Sequence, residues 1–360
     1  MSICVGFQLF NRKVCRVIKI DGSQGEGGGQ IVRSSLALSM VTGKGFEISR
    51  VRGKRKKPGL LKQHLAGLLA AKQVCGAEVS GAELHSPNIS FHPGPVQTRG
   101  FRFSIGSAGS ATLVAQTVLP ALIIASGKSS IEIEGGTHNM AAPPFDFLTD
   151  VYFPIVTKLG PKFETEIESY GFYPAGGGRI KIHIQPTANL QSLNLLERQG
   201  TLKPSITALV SKLPEHIGER EIKRIKNKSG WRNPKCRVET IENSPGPGNC
   251  VMIRLAYSNV SELCTGFGRR GIKAEQVAVE AWRQAKQYLD HDAPVGQYLA
   301  DQLILPLAIS ASQGNRNKFR TGPLSLHTET HIQIIQLFLE VSIKVTEIDT
   351  DKFEIELGPR

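Results

Sequence analysis

The six cysteines, Cys4, Cys15, Cys75, Cys236, Cys250 and Cys264, form no CxxC pair and no zinc-ribbon spacing, which argues against the common cysteine-held metal modules. Scattered single thiols in a chain of 360 residues fit a reducing compartment, each expected as a small buried hydrophobe. No apolar run reaches the roughly 18 residues of a membrane span. The short apolar stretch at the N-terminus lacks a basic region before it and alternates like a strand, so no signal peptide is expected and a cytoplasmic protein is. Acids are scarce too: 31 against 44 Lys and Arg, a formal charge of +13 with pI near 9.5. That excess favours polyanionic partners through counterion release and steering; a basic surface serving solubility is the alternative. Neither familiar phosphate loop is present. Gly22 and Gly27 are followed by Gly28 and Gly29 where a P-loop needs Lys and Ser or Thr, and Gln30 stands where a dinucleotide fingerprint needs glycine.

What is present is a soluble globular composition, 40% hydrophobic and 21% charged, long enough for about two domains. Its most distinctive stretch is DGSQGEGGGQIVRSS, Asp21 to Ser35, with five glycines in eight residues, Glu26, and Arg33 at the start of an amphipathic helix. Glycine at this density admits left-handed dihedrals and close approach, and a helix N-terminus attracts anions. The glycines alone leave two readings open, a phosphate seat and a ligand-free turn.

A strand from Val14 to Ile20 enters this stretch, and a helix over 30–41 leaves it. A strand over 45–51 then leads into RVRGKRKKPGLLKQHLAGLLAAKQVCGAEV, with seven basic residues between Arg50 and Lys62 and Pro58 at an expected first helical turn. The bland reading is a solvated face, but a basic glycine and proline turn feeding a helix is also where anions bind. Strands near 89–91 and 101–105 precede GSAGSATLVAQTVLPALIIASG, a small-residue turn and apolar helix with Gln116 in its middle. A strand over 130–134, the turn GGTHNMAAPPFDF and a helix over 145–159 repeat the pattern, giving three strand-turn-helix units. After an alternating strand ending at Pro186 the composition becomes polar and basic, with a helix over 217–227, strands over 236–241 and 250–256, and a helix over 273–289. VGQYLADQLILPLAIS then resumes the earlier style, followed by a helix over 335–341 and strands to Leu357. We expect an α+β protein: a large domain, 1–186 and 286–360, interrupted by a smaller α+β domain, 187–285.

Most of the nine histidines need no function. His64, beside the basic turn, and His327, between a turn and a helix, stand out by context. His327 and His331 could share a helical face, but HTETH is not HExxH and no further ligand cluster is evident, so zinc is disfavoured. A nucleophilic histidine needs a free nitrogen, a partner on its other nitrogen, and nearby cations. The basic turn and Arg33 could supply the cations for phosphoryl or nucleotidyl transfer. Tyr298, Asp301 and Gln302 share one helical face, on spacing alone an ordinary helix start.

Taken in order, DGSQGEGGGQIVRSS, RGKRKKPGLLKQHL, GSAGSATLVAQTVLPAL, GGTHNMAAPPFDF, GFYPAGGGR, GQYLADQLILP and LHTETHI closely resemble RNA 3'-terminal phosphate cyclases, from about residue 18 to beyond 340. The resemblance implies about three or four repeated units, each a small sheet with two helices, and a smaller insert. It implies conversion of an RNA 3'-phosphate to a 2',3'-cyclic phosphate with ATP and a divalent metal, Mg or Mn, releasing AMP and pyrophosphate. By similarity His327 is the adenylated nucleophile, and Glu26 lies near metal or nucleotide. Arg33, Arg52 and Arg55 match phosphate-binding arginines beside Gln63 and His64, while Gln116, Tyr298, Asp301 and Gln302 match the nucleotide pocket. On this reading Arg52→Ala and Arg55→Ala both weaken phosphate engagement with folding intact. The partners implied are ATP and RNA bearing a 3'-phosphate; no membrane is implied, and a homodimer is left open. Two positions depart from the family pattern: His331 replaces a frequent asparagine, and LCTGFGRRGI departs from aromatic-bearing versions, leaving adenine stacking unassigned. A non-catalytic RNA-binding or ribosome-assembly branch lacks the histidine nucleophile, so His327 argues against it. A carboxyvinyl transferase of related architecture fits the motifs and charge less well.

Overall fold

The structure is a computed structural model describing residues 17–360; Cys4, Cys15 and the start of the strand expected from Val14 lie outside the described residues. Three of its four sheets share one construction. In the first, β1 (Ile18–Asp21) passes through α1 (Gly29–Thr42) to a parallel partner, β2 (Phe46–Ser49). Then α2 (Lys62–Cys75) leads to the antiparallel pair β3 (Glu78–Ser80) and β4 (Ile89–His92), in spatial order β1-β2-β4-β3. The second repeats this with β5 (Gly100–Ser104), α3 (Ala111–Leu122) and β6 (Ser129–Gly135), and closes with β7 (Lys162–Ser169) and β8 (Gly178–Gln185), in order β5-β6-β8-β7. Its second helical segment is made of α4 (Phe145–Phe147), a π-turn (Leu148–Tyr152), α5 (Phe153–Val156) and a 3-10 turn.

The third sheet begins with β9 (Asn194–Leu195). A fourth sheet of different order intervenes: β10 (Lys203–Ser211), α6 (His216–Ser229), β11 (Lys235–Thr240), β12 (Gly248–Ala256), β13 (Ser261–Phe267) and α7 (Ala274–Asp290), arranged β11-β10-β12-β13. The third sheet resumes with α8 (Gln297–Ser312), β14 (Asn317–Thr321), α9 (Leu326–Phe338), β15 (Val341–Asp349) and β16 (Lys352–Pro359). Its order, β9-β14-β16-β15, again opens with a parallel pair.

The expected repeated sheet-plus-helix architecture is present, but its unit is twice the expected strand, turn and helix. The strands β1 and β5 open a repeat, whereas β6 with its helical segment completes one, because a parallel βαβ crossover returns the chain to the same sheet. The strands β3, β7, β9, β10, β13 and β14 were not anticipated. The helix expected to start at Pro58 starts four residues later: Gly59 takes φ +77°, and Arg52 holds its carbonyl, so the turn stays extended. The last long helix begins at Leu326 rather than 335, capped by Ser325 Oγ accepting from Thr328 N–H (3.1 Å), which brings His327 and His331 inside it.

Buried on almost every side, α1 packs against α2, α3 and α9, as a helix apolar around most of its circumference must. The fourth sheet buries both faces by strand alternation: Val251, Ile253 and Leu255 of β12 pack with α6 and α7, while Cys250 and Met252 join the main core. Cys75, Cys250 and Cys264 are buried as expected and Cys236, on the edge strand β11, is exposed. Among the described residues no helix is long and apolar enough to cross a membrane.

Candidate active site

The glycine-rich turn makes room for later parts of the chain. At Gly25, φ is +51° and a Cβ would stand 2.2 Å from Thr330 Oγ1 on α9. That hydroxyl accepts from Glu26 N–H (2.9 Å) and donates to the Leu326 carbonyl (2.7 Å), pinning the start of α9 to the turn. At Gly29 a Cβ would meet His64 Nε2 at 2.3 Å. The close approaches set Glu26, His64 and His327 around one opening.

His327 is held from the side. Its Nδ1 lies 3.1 Å from Asp301 Oδ2, and its Nε2 lies 3.9 Å from Glu26 Oε2. Asp301 comes from α8 and also meets His331, whose Nδ1 donates to the Asp301 carbonyl oxygen (3.0 Å) and sits 3.3 Å from Oδ1. Burial alone would raise the Asp301 pKa, but its contacts with the His327 and His331 imidazoles outweigh it and hold the carboxyl well below the usual range. The ionised carboxylate selects Nδ1–H as donor, leaving the Nε2 lone pair directed toward the opening. His327 is 32% exposed and His331 only 3%, so one imidazole can reach a ligand while the other is packing.

A basic wall faces these groups. Arg55 pairs with Glu26 Oε1, while Glu26 Oε2 is buried with no hydrogen-bond partner. Arg33 donates to Gln30 Oε1 (2.6 Å); burial pulls its guanidinium down to about 10, partly offset by Asp301, and it stays charged. Arg52 differs from the other two arginines. Its Nη1 donates to the Lys57 and Gly59 carbonyls (2.6 and 3.0 Å), so it braces the basic turn while lining the cavity. Burial and the charges of Arg33, Arg52 and Arg55 push the His64 imidazole down to about 3, making it a neutral hydrogen-bonding group. Its Nδ1 accepts from Leu61 N–H (3.4 Å), and Gln63 Oε1 accepts from Ser110 N–H (2.8 Å), linking the first two repeats.

Two cavities meet here, of about 620 and 560 Å³, sharing Glu26, Arg33, Arg55 and His327 on their walls. Gln63, His64 and Arg52 line the smaller one; Gln116, Tyr298, Asp301 and Gln302 line the larger. All eleven residues singled out from sequence therefore border one connected space. Gln116 Nε2 donates to Gln302 Oε1 across it. The pair does have a signal in the sequence: QTVLP in α3 and QLILP in α8 put glutamine four residues before an in-helix proline in two repeats, and Pro120 and Pro306 both line the larger cavity. The remaining wall was not anticipated. Leu263, Thr265 and Phe267 reach it from β13 and Phe147 from α4, with Phe267 lying inside LCTGFGRRGI.

Residues 24–345 match the sequence profile of the RNA 3'-terminal phosphate cyclase family. Curated proteins named RNA 3'-terminal phosphate cyclase are similar over nearly their full lengths. One from Koribacter versatilis is 47% identical over 335 residues, 93% of each chain. One from Salmonella typhimurium is 45% identical, covering 93% of this chain and 97% of its own, and one from Pseudomonas fluorescens is 42% identical, covering 94% and 97%. A match of this extent and identity, on a chain whose repeats converge on one histidine, means that this protein belongs to the RNA 3'-terminal phosphate cyclase family.

Proposed function

We propose that the protein converts an RNA 3'-terminal phosphate to a 2',3'-cyclic phosphate at the expense of ATP, through adenylated His327. The observation that carries this is the His327 imidazole, held at Nδ1 by an ionised Asp301 and open at Nε2 beside Arg33 and Arg55. Nε2 attacks the α-phosphorus of ATP, forming a P–N bond as the P–O bond to pyrophosphate breaks and pyrophosphate leaves with the electron pair. An oxygen of the RNA 3'-phosphate then attacks the same phosphorus, and His327 departs as a neutral imidazole. Finally the 2'-hydroxyl oxygen attacks the 3'-phosphorus, losing its proton to water, and AMP is expelled. The last step is intramolecular, with the hydroxyl already beside its target. The arginines offset the charge that develops on the phosphates.

Apolar residues lining the larger cavity, Phe147, Leu263, Phe267 and Pro306, suit the adenine, and the basic cavity with Arg52 and His64 suits the RNA phosphate. A divalent ion, Mg²⁺ or Mn²⁺, fits at Glu26, because Oε2 is a buried carboxylate oxygen without a partner. Among the described residues no three His, Cys, Asp or Glu side chains are grouped as a metal site, so its other ligands would be phosphates and water. Such an ion supplies charge neutralisation at the phosphates. We read residues 187–285 as the inserted domain; the separate sheet and hydrophobic cluster of β10–β13, α6 and α7 support an insert, but they span 203–290, since β9 pairs with β14 of the third sheet and α7 runs on to Asp290. A cytoplasmic setting is in keeping with free cysteines.

The test is an RNA oligonucleotide labelled at its 3'-phosphate. Incubation with the protein, ATP and metal is expected to make the label resistant to phosphatase; a label that stays fully sensitive with folded protein refutes the activity. Arg55→Ala is expected to raise the KM for ATP about 10- to 100-fold, the effect of about 1.5–3 kcal/mol for a charged contact, with little change in Tm. Arg52→Ala is expected to lower Tm as well, because the Lys57 and Gly59 carbonyls lose their donor. Equal thermal stability in the two variants would contradict this division of roles.

A further inference from the structure

Between Lys223 and Arg237 the chain reads KRIKNKSGWRNPKCR, seven cations and no acid, more than half the size of the net charge of +13. These residues form the end of α6, the turn after it and the start of β11. All seven cations are exposed, and among the described residues only Arg237 has a carboxylate partner, Glu239. A groove of about 370 Å³ separates α6 from β11, with Lys223, Lys226 and Asn227 on the helix side and Glu219 at one end. Lysine on an edge strand commonly guards against pairing with another sheet, which accounts for Lys235 but leaves the helical cations unexplained.

The only two tryptophans of the chain are Trp231, two residues past the end of α6, and Trp282 on α7. Trp231 and Trp282 are half-buried and packed edge to face at 5.4 Å, with exposed Arg232 and Arg283 next to them in sequence. Aromatic faces among cations are what a single nucleic acid strand uses, bases on the rings and phosphates on the charges. One end of this face is tied to the chain that leads to the active site. The loop before β12 is tied to residues 168–170 by Tyr170 N–H donating to the Asn243 carbonyl (2.8 Å) and by Asn243 Nδ2 donating to the Glu168 carbonyl. Tyr173, three residues further on and 69% exposed, lines the basic cavity. Lys212 Nζ, shortly before α6, donates to the Pro245 carbonyl (2.9 Å) of the loop before β12, and α6, 14 residues or about 21 Å long, leads on toward Trp231.

We propose that the α6–β11 face binds the single-stranded RNA leading to the reacting 3' end, with phosphates on Lys223, Lys226 and Lys235 and a base against Trp231. The inference rests on the cyclase reading for which end of the RNA enters the cavity, but the binding itself can be measured without turnover. The probe is a fluorescent single-stranded RNA of about 20 nucleotides with a 3'-hydroxyl, which cannot be cyclised. With full-length protein, Lys223→Glu/Lys226→Glu/Lys235→Glu is expected to bind it roughly tenfold or more weakly at about 0.1 M salt. The slope of log K against log salt should flatten by about 2, three phosphates at about 0.7 each. Intrinsic tryptophan fluorescence of the wild type should change along the same binding curve. A control, Lys72→Glu/Lys128→Glu/Lys344→Glu, carries the same charge change at exposed sites elsewhere. Equal losses in the two triple variants, or unchanged affinity and slope in the first, overturn the proposal and leave the face to an acidic protein or to solvent. An unchanged tryptophan signal overturns the stacking. Failure of the phosphatase-resistance assay with RNA binding intact would instead count against the cyclase reading alone.

Discussion

After incubation with α-labelled ATP and a divalent metal, the wild-type chain is expected to retain label on denaturation and His327→Ala to retain none. The bond formed by a histidine nitrogen is a phosphoramidate, so the label should leave in acid and persist in alkali. Cyclisation by the variant should fall by about 10⁴-fold or more, as when a covalent nucleophile is deleted. His327 is partly exposed at the cavity rim, and the start of α9 is held by Ser325 and Thr330 rather than by the imidazole. Folding should therefore survive, which thermal unfolding checks. Label persisting at wild-type level in His327→Ala would remove the nucleophile from this residue.

The second large effect is expected from Asp301→Asn. The side chain keeps its size, but an amide neither favours Nδ1–H as donor nor offsets the positive charge that gathers on the imidazole as Nε2 forms a bond. A loss of about 10²- to 10⁴-fold in kcat is expected by analogy with other carboxylate–histidine pairs, with nucleotide affinity changed by no more than about threefold. Because contacts with two imidazoles hold the Asp301 carboxyl low, it stays ionised throughout the working range of pH. A variant that bound ATP poorly yet kept wild-type kcat would make Asp301 a binding group and not the orienter of His327.

The contrast between these residues and the basic turn shows what spacing could reveal. Tyr298, Asp301 and Gln302 read as an ordinary helix start from their own surroundings, because the partners that give them meaning lie in other repeats. Gln116 is 186 residues from Gln302, and Glu26 is 304 from Thr330. Arg52 and Arg55 looked alike in a run of cations. Only the paths of their side chains, one to the Lys57 and Gly59 carbonyls and the other to Glu26, separate a brace of the turn from a cation paired with a cavity carboxylate. The strand β7 was missed because KFETEIES contains no fully buried position.

The sequence by itself determined the repeated strand, turn and helix pattern, the basic excess and the family resemblance, since periodicity, composition and ordered motifs are properties of neighbouring residues. Tertiary structure decided that the glycines of the first turn admit Thr330 and His64, that the repeat unit is a whole four-stranded sheet, and that His327 meets Asp301 on one side and Glu26 on the other. The physical reason is the same in each case. Close approach and ion pairing depend on distances between elements far apart along the chain, and those distances exist only once the helices α1, α8 and α9 have packed.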